Sequence, residues 1–166
     1  MIGSSQQDFI DFYSSHADKV RGIIFRIAGE SALKDLTQDT FLKAWESRHK
    51  FRGESLASTW LYRIAYNCAI DFLRKTKKSN QIESVLEELI DPQIDIQNRN
   101  MVEAAIKELS EEQRVVVLLH YVEDLSLREI AEILDVPEGT VKSRLSYARK
   151  LMNEVLSERS LSNAGR

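Results

Sequence analysis

The sequence predicts an all-α protein made of two small helical domains that are joined by an acidic linker. Apolar residues recur at helical spacing along most of the 166 residues, and only two prolines and six glycines interrupt them. Residues 79–112 hold nine Asp and Glu against two Lys and Arg, and such a block usually marks a linker or an interaction segment. The predicted parts are residues 1–78 as the first domain, 79–100 as the acidic linker, 101–156 as the second domain and 157–166 as a flexible tail.

The composition argues against a membrane protein and against a secreted one. No apolar run approaches the ~20 residues of a membrane span, and the N-terminal MIGSSQQDF lacks the basic and apolar regions of a secretion signal. The single cysteine, Cys68, excludes an intrachain disulfide framework and fits a reducing compartment. These features predict a cytoplasmic protein.

The sequence lacks the motifs of common enzymes and metal sites. It has no Gly-rich phosphate loop, no H-E-x-x-H, no cysteine pair and no G-x-S-x-G. The three histidines, His16, His49 and His120, are far apart and not at the spacing of metal ligands. We therefore expect no enzymatic activity, no metal and no cofactor, although a dispersed catalytic site would leave no such pattern.

The first helix is predicted over residues 9–27 and ends near Gly29. One side of this helix collects apolar and aromatic residues at helical spacing. They are Phe9, Phe12, Tyr13, His16, Val20, Ile23, Ile24 and Ile27. A lone histidine on such a stripe is more often a packed residue than a ligand, so His16 is predicted to lie in the core.

A second helix is predicted over residues 33–45, with Leu33, Leu36, Thr40 and Ala44 facing inward. Its outer side carries polar residues, and two aromatic residues four positions apart lie near them. The candidate contact residues on this side are Asp35, Gln38, Asp39, Phe41 and Trp45. Aromatic residues rimmed by charge are favoured at protein interfaces. A solvated face with two core aromatics explains the same pattern equally well.

An aromatic and basic segment follows, consisting of a loop over residues 49–58 and a helix over residues 59–78. The inner stripe of the helix is Leu61, Ile64, Ala65, Cys68 and Phe72. The candidate nucleic-acid residues of the segment are Lys50, Phe51, Arg52, Trp60, Arg63, Tyr66, Asn67 and Arg74. Bases can stack on such rings while cations hold the phosphates of a single strand. Inward packing of the aromatic residues is the alternative, and composition alone slightly favours it.

The next predicted elements are a short amphipathic piece of the linker and two helices. The piece contains Ile82, Val85, Leu86 and Leu89 and stops at Asp91-Pro92. Helical spacing resumes over residues 101–109, and Ser110 with Gln113 forms a capping box. The run VVVLL within residues 114–121 could be a buried strand, but the cap and the absence of a partner strand favour a helix.

Residues 125–151 predict a helix-turn-helix. Ser126 and Glu129 form a capping box, an apolar stripe follows, and Pro137 suits the start of the next helix. In such motifs the second helix enters the major groove of DNA. Its outward residues are hydroxyls and cations that can contact phosphates and base edges. The candidates are Thr140, Lys142, Ser143, Arg144, Ser146, Arg149 and Lys150. An ordinary helical hairpin with a solvated basic face is the plainer alternative.

Three segments together resemble the group IV, or extracytoplasmic-function (ECF), sigma factors of the sigma-70 family of bacterial RNA polymerase. They are DLTQDTFLKAW (35–45), FRGESLASTWLYRIAYNCAIDFLRK (51–75) and LSEEQRVVVLLHYVEDLSLREIAEILDVPEGTVKSRLSYARK (109–150). They span nearly the whole chain. The layout of two domains without a middle domain is also similar to that family.

The resemblance implies a factor that binds core RNA polymerase and directs promoter-specific transcription initiation. A sigma-2 domain would dock on the polymerase clamp helices through the 35–45 helix, and its 51–74 segment would hold the melted −10 element. In that segment Trp60, Phe51 and Tyr66 would stack on bases. A sigma-4 domain would read the −35 element as duplex, with Arg144 as the first candidate for a base contact. The resemblance also implies an anti-sigma factor as a partner.

Two other functions remain as alternatives. A stand-alone helix-turn-helix regulator would bind a duplex operator, but it leaves the 35–45 face and the 51–74 segment unexplained. A pure protein-interaction module would not need a basic recognition helix. The net charge of −3 does not exclude DNA binding, because residues 1–78 carry a net charge of +4 and DNA responds to the local field of a surface.

Overall fold

A computed structural model describes residues 6–76, 82, 87 and 96–164, and within these ranges all regular structure is helical. The helices are α1 (Gln6–Ala28), α2 (Glu30–Ser47), α3 (Ala57–Thr76), α4 (Ile96–Glu108), α5 (Glu111–Val117), α6 (Leu127–Leu134) and α7 (Glu138–Ala164). A 3-10 turn covers Arg48–Lys50, and a π-helical turn covers Leu118–Val122. The predicted all-α class is confirmed.

Helices α1, α2 and α3 pack on one another and form the first helical group. Val20, Ile23, Ile24 and Ile27 of α1 are fully buried, as the apolar stripe predicts. Gly29 takes a φ of 81°, which lets the chain turn directly from α1 into α2. His16 lies only partly buried, 4.6 Å from the ring of Phe12, and burial lowers the pKa of its imidazole.

Helices α4 to α7 form the second helical group, in which α4, α5 and α6 all contact α7. Both predicted capping boxes are present: the hydroxyls of Ser110 and Ser126 accept from the amides of Gln113 and Glu129. The VVVLL run is helical, which confirms the choice of helix over strand. Its last residues widen into the π-helical turn, which the sequence pattern did not predict.

The two groups are in contact because α6 packs against α3 as well as α7. The buried residues form one cluster that runs through both groups, from Ile24 and Leu61 to Ile130 and Val141. The helix-turn-helix therefore lies against the aromatic and basic segment of the first group.

Two helices of the structure cross the predicted segment boundaries. Helix α4 begins at Ile96, inside the predicted linker. The remaining linker prediction, including Val85, Leu86 and Leu89, lies outside the described residues, although Ile82 is helical and buried.

Helix α7 also continues to Ala164, through the segment from Ser157 that is predicted as a flexible tail. The segment between these two residues contains neither Gly nor Pro, and the first glycine comes at Gly165. Helix-compatible residues such as Leu, Glu, Arg and Ala therefore allow the helix to continue.

Candidate nucleic-acid interface

The turn of the helix-turn-helix is built by Asp135 and Pro137. Asp135 ends α6 in the left-handed region with a φ of 57°, and the amide of Val136 donates to the carbonyl of Ala131 at 3.1 Å. Asp tolerates this conformation better than most residues with a side chain. The carbonyl of Pro137 then accepts from the amides of Thr140 and Val141 at 2.9 and 3.3 Å. This geometry starts α7 with its Val141–Leu145–Ala148 stripe buried against the group.

The outward side of α7 presents most of the predicted contact residues to solvent. Five of them are exposed: Lys142, Ser143, Ser146, Arg149 and Lys150. Thr140 is half-buried, and the Ser143 hydroxyl donates to the Thr140 carbonyl at 2.9 Å. The structure adds Tyr147, which is 57% exposed on the same helix and which the sequence reasoning missed.

Arg144 is the least accessible cation of α7 among the predicted contacts. Its side chain is 27% exposed, and its guanidinium lies 3.9 Å from the Glu112 carboxylate of α5. Tyr66 of α3 is in the same neighbourhood. Burial raises the pKa of the Tyr66 phenol, Glu111 and Glu112 raise it further, and Arg74 and Arg144 oppose them. Arg144 and Tyr66, predicted for different parts of a DNA site, thus belong to one electrostatic environment.

Arg149 is held by a residue that the sequence pattern did not single out. Its Nε donates to the hydroxyl of Tyr121 at 2.7 Å, and its guanidinium lies 5.8 Å from the centre of that ring. Tyr121 belongs to the π-helical turn, so only the tertiary structure reveals this support.

The aromatic and basic segment forms a half-exposed cluster at the start of α3. The rings of Phe51 and Trp60 are 5.4 Å apart, and both residues are half-buried. Lys50 and Arg52 are exposed beside them, and the Arg63 side chain is 42% exposed. Trp60 packs against the core, and both residues keep a solvent-exposed part.

The remaining predicted residues of α3 lie farther along the helix. Asn67 and Arg74 are exposed, and Arg74 lies 3.9 Å from Asp71. Trp60, Arg63, Asn67 and Arg74 follow at helical spacing and share one side of α3. Tyr66 is half-buried, in the neighbourhood of the second group described above.

A cleft of about 840 Å³ separates the start of α3 from the helix-turn-helix, and we call it the charged cleft. Its first-group wall carries the basic residues Lys50, Arg52 and Arg63 with the acidic Glu54, and its second-group wall carries three acidic residues with the basic Arg128. The acidic residues are Glu132, Asp135 and Glu138. Arg63 and Asp135 bridge the cleft at 2.9 Å.

The outer side of α2 differs in part from its predicted form. Asp35, Gln38 and Asp39 are exposed as expected, but Phe41 is only 5% exposed and packs on Tyr13, with 4.3 Å between ring centres. Phe41 is therefore a core residue, because α1 covers it. Trp45 is half-buried, with the Arg48 guanidinium 3.7 Å from the centre of its ring.

An apolar groove that the sequence reasoning missed borders this side of α2. Ile10 and Leu42 are 47% and 53% exposed, and they line a cavity of about 470 Å³ with Phe9 and Trp45. Neighbouring exposed apolar side chains of this kind often mark protein interfaces.

Two further properties concern only the part of the chain that the structure describes. No helix there is long and apolar enough to cross a membrane. No cluster of three or more His, Cys, Asp or Glu side chains there could hold a metal ion.

Two family models match the chain. Sigma-70 region 2 matches residues 12–79, and Sigma-70, region 4 matches residues 99–152. The first match covers most of the first helical group, and the second covers most of the second group.

The chain is also similar to named proteins along most of its length. It is 31% identical to the ECF RNA polymerase sigma factor SigW of Bacillus subtilis, over 92% of this chain and 91% of that protein. It is 33% identical to the ECF RNA polymerase sigma-E factor of Haemophilus influenzae, over 84% and 82% of the two chains. The corresponding sigma-E factor of Escherichia coli K12 is 32% identical, over 81% and 79%.

Two solved structures share the fold. CnrH, in complex with the cytosolic domain of CnrY, gives a TM-score of 0.66 at 21% identity and covers 93% of this chain and 91% of its own. The sigma factor RpoE of Bartonella quintana, in complex with the anti-sigma factor NepR, gives a TM-score of 0.61 at 24% identity over 91% and 98%.

Proposed function

The chain belongs to the ECF sigma factors of the sigma-70 family, and on that premise we propose that it binds bacterial core RNA polymerase and directs promoter-specific transcription initiation. The observation that best supports this function is that one chain has two surfaces with the composition of DNA-binding sites. One is the basic side of α7 in a helix-turn-helix, and the other is the aromatic and basic cluster at the start of α3.

Helix α7 is proposed to read the −35 element as duplex DNA. Its exposed side carries cations and hydroxyls, and the Asp135 turn places its N-terminal end at the charged cleft. Residues near the start of a recognition helix contact base edges, and later cations contact phosphates. Arg144 is the proposed base reader, with Thr140, Lys142, Ser143, Ser146, Arg149 and Lys150 around it.

The start of α3 is proposed to hold the melted −10 element on the non-template strand. Opening duplex DNA costs about 1.4 kcal/mol of stacking per base-pair step. A base stacked on an aromatic side chain returns about 1–3 kcal/mol, and the half-exposed Trp60 and Phe51 offer such a surface. Lys50, Arg52, Arg63 and Arg74 would hold phosphates, with Tyr66 and Asn67 as further base contacts.

The outer side of α2 is proposed to dock on core polymerase. Asp35, Gln38 and Asp39 provide the polar contacts, and Trp45 with Ile10 and Leu42 provides the apolar ones. Phe41, which is 5% exposed, supports this surface from the core and lines the apolar groove.

Initiation by this mechanism uses binding energy and needs no covalent step by the chain, so we propose that it is not an enzyme and acts in the cytoplasm. An anti-sigma factor is a proposed partner. The support is the resemblance to RpoE, which was solved with the anti-sigma factor NepR.

The test is transcription from a promoter library by core RNA polymerase with and without the purified chain. The expected result is initiation at a discrete set of promoters that share −35 and −10 sequences, only when the chain is present. Failure of the chain to bind core polymerase or to select promoters would overturn the proposal. A stand-alone regulator would instead bind duplex operators without core polymerase.

A further inference from the structure

Tyr121 and Arg149 come together on the exposed side of the second helical group. The Arg149 Nε donates to the Tyr121 hydroxyl at 2.7 Å, and the guanidinium lies 5.8 Å from the centre of the ring. Both residues are exposed. The contact joins α7 to the π-helical turn Leu118–Val122. We call these two side chains the Tyr121–Arg149 pair.

The π-helical turn fixes the position of Tyr121. Leu118 and Leu119 are fully buried, and their carbonyls accept from the amides of Glu123 and Leu125 at 3.1 and 3.0 Å. Because the turn is anchored by these buried residues, Tyr121 is held towards solvent, where it is 57% exposed. Single π-helical turns are rare and occur frequently at functional sites. The turn therefore presents a tyrosine hydroxyl at a defined place beside α7.

Arg149 belongs to a row of polar side chains along α7. Lys142, Ser146 and Arg149 follow one another at spacings of four and three residues, so they share one side of the helix. All three are exposed. In recognition helices the first residues contact base edges, and later cations contact the DNA backbone. Arg149 is therefore placed to contact a phosphate, and Tyr121 lies beside it although it is not part of α7.

The tyrosine hydroxyl and the guanidinium can donate to the same anion. The Tyr121 oxygen accepts from the Arg149 Nε, so its own O–H proton points away from that nitrogen. The guanidinium is a rigid planar fork in which Nε–H and one terminal N–H lie side by side. A phosphate oxygen that accepts from this terminal N–H would lie next to the Tyr121 hydroxyl, within reach of its proton. One charged donor and one neutral donor thus converge on one phosphate.

We propose that the Tyr121–Arg149 pair is a binding site for a single phosphate of the DNA backbone in the −35 element. The Tyr121 hydroxyl donates to that phosphate, and it also orients the Arg149 guanidinium before DNA binds. An arginine that is already ordered loses less freedom on binding, which raises the affinity. The site has no base preference, because phosphate contacts carry no sequence information. The inference rests on the proposed reading of the −35 element by α7.

The test measures binding of holoenzyme to a promoter selected from the library. In a series of duplexes, single methylphosphonates replace the phosphates of the −35 element one at a time, which removes one charge and keeps the base sequence. Wild type is compared with Tyr121→Phe and Arg149→Gln. On unmodified DNA, Tyr121→Phe should weaken binding by about twofold to tenfold, and Arg149→Gln should weaken it at least as much. Tyr121→Phe should leave the preference among −35 sequences unchanged.

The decisive comparison is made at one modified position. There the methylphosphonate should weaken wild-type binding, and both variants should bind as the wild type does, because the phosphate that the pair contacts has lost its charge. Tyr121→Phe that binds unmodified DNA as tightly as wild type would overturn the site. A weakening that is the same at every methylphosphonate position would also overturn it, since the pair would then only stabilise α7. Weaker binding of Tyr121→Phe to core polymerase without DNA would assign the pair to a polymerase contact instead.

Tyr13→Phe is the matched control, because Tyr13 is an exposed tyrosine of α1 in the first group and loss of its hydroxyl should leave −35 binding unchanged. Circular dichroism and urea unfolding check that Tyr121→Phe keeps the fold. A wild-type holoenzyme that selects no promoter would overturn the proposed function and this inference together. A wild type that selects promoters, with variants that are coupled to no phosphate, would overturn this inference alone.

Discussion

Arg144 is the proposed base reader of the −35 element, and it is also partly covered by packing in the structure. Its guanidinium is largely covered and lies near Glu112, so it reaches a base edge only after that neighbourhood changes. Arginine reads guanine through two hydrogen bonds in the major groove, a geometry that lysine does not reproduce.

We predict that Arg144→Ala weakens holoenzyme binding to a −35 duplex by about 1–3 kcal/mol and relaxes preference at one base pair. Competition binding with single-position duplex variants measures both effects. Lys150→Ala is the matched control, because Lys150 is exposed later on α7 and loss of a phosphate contact there weakens all sequences about equally. An Arg144→Ala chain with unchanged affinity and preference would remove Arg144 from base reading.

His16 gives the first helical group a pH dependence. Burial lowers the pKa of its imidazole below the ordinary value of 6.5, so the folded chain binds this proton less readily than the unfolded chain. The stabilising contribution of neutral His16 is therefore complete above pH 6.5 and falls as the pH drops towards the lowered folded pKa.

We predict that the free energy of unfolding decreases as the pH is lowered from 7 to 5.5, and that His16→Asn removes part of this decrease. Urea unfolding followed by circular dichroism at several pH values measures it. His49→Asn is the control, since His49 is exposed. Identical pH profiles for wild type and His16→Asn would show that His16 contributes none of the dependence.

At the scale of elements, local sequence signals predicted the helix-turn-helix well. The Ser126 hydroxyl accepts from the Glu129 amide at 3.3 Å, and a Glu129 carboxylate oxygen accepts from the Ser126 amide at 2.9 Å. Both contacts depend on residues three positions apart, so the sequence alone contains them. The turn at Asp135 and the apolar stripe through Val141 likewise depend on residues close together in the sequence.

We predict that Ser126→Ala destabilises the second helical group by about 0.5–2 kcal/mol, because the cap of α6 is lost. Urea unfolding measures the change. Ser14→Ala is the control, because the exposed Ser14 hydroxyl donates to the Ile10 carbonyl within α1 and caps no helix. Equal stability of Ser126→Ala and wild type would contradict the capping role.

Other features of the structure depend on contacts between residues far apart in the sequence, which a local sequence pattern does not predict. Phe41 and Trp45 were both predicted as candidate contact residues of α2, yet α1 buries Phe41 and leaves Trp45 half-exposed. The π-helical turn at Leu118–Val122 follows an ordinary helical sequence, and it positions Tyr121 beside Arg149. Tertiary packing decides both outcomes.

At the scale of the whole molecule, the sequence predicted two groups with different DNA surfaces but did not predict how they meet. Glu123 pairs with residues 104 and 97 positions earlier in the chain, Lys19 and Arg26. No spacing rule relates such residues, because their proximity comes from the packing of α6 on α3. The same packing places the basic and acidic walls of the charged cleft opposite each other.

In the proposed mechanism the two groups serve different steps of initiation, because α7 anchors the duplex and the start of α3 holds the melted DNA. Trp60 is the residue that best tests this division of roles. A base can stack on its ring only after that base has left the duplex, so stacking stabilises only the melted DNA. Trp60→Phe is the matched control, because it keeps an aromatic ring at the position.

The most direct test is permanganate reactivity of thymines in a promoter selected from the library, with holoenzymes containing wild-type chain, Trp60→Ala or Trp60→Phe. We predict reactive, unpaired thymines around −10 with wild type, and much weaker reactivity with Trp60→Ala while the −35 footprint persists. Trp60→Phe should keep most of the reactivity. Thymines that stay unreactive with wild type, or a Trp60→Ala holoenzyme that loses the −35 footprint and the melting equally, would contradict the division.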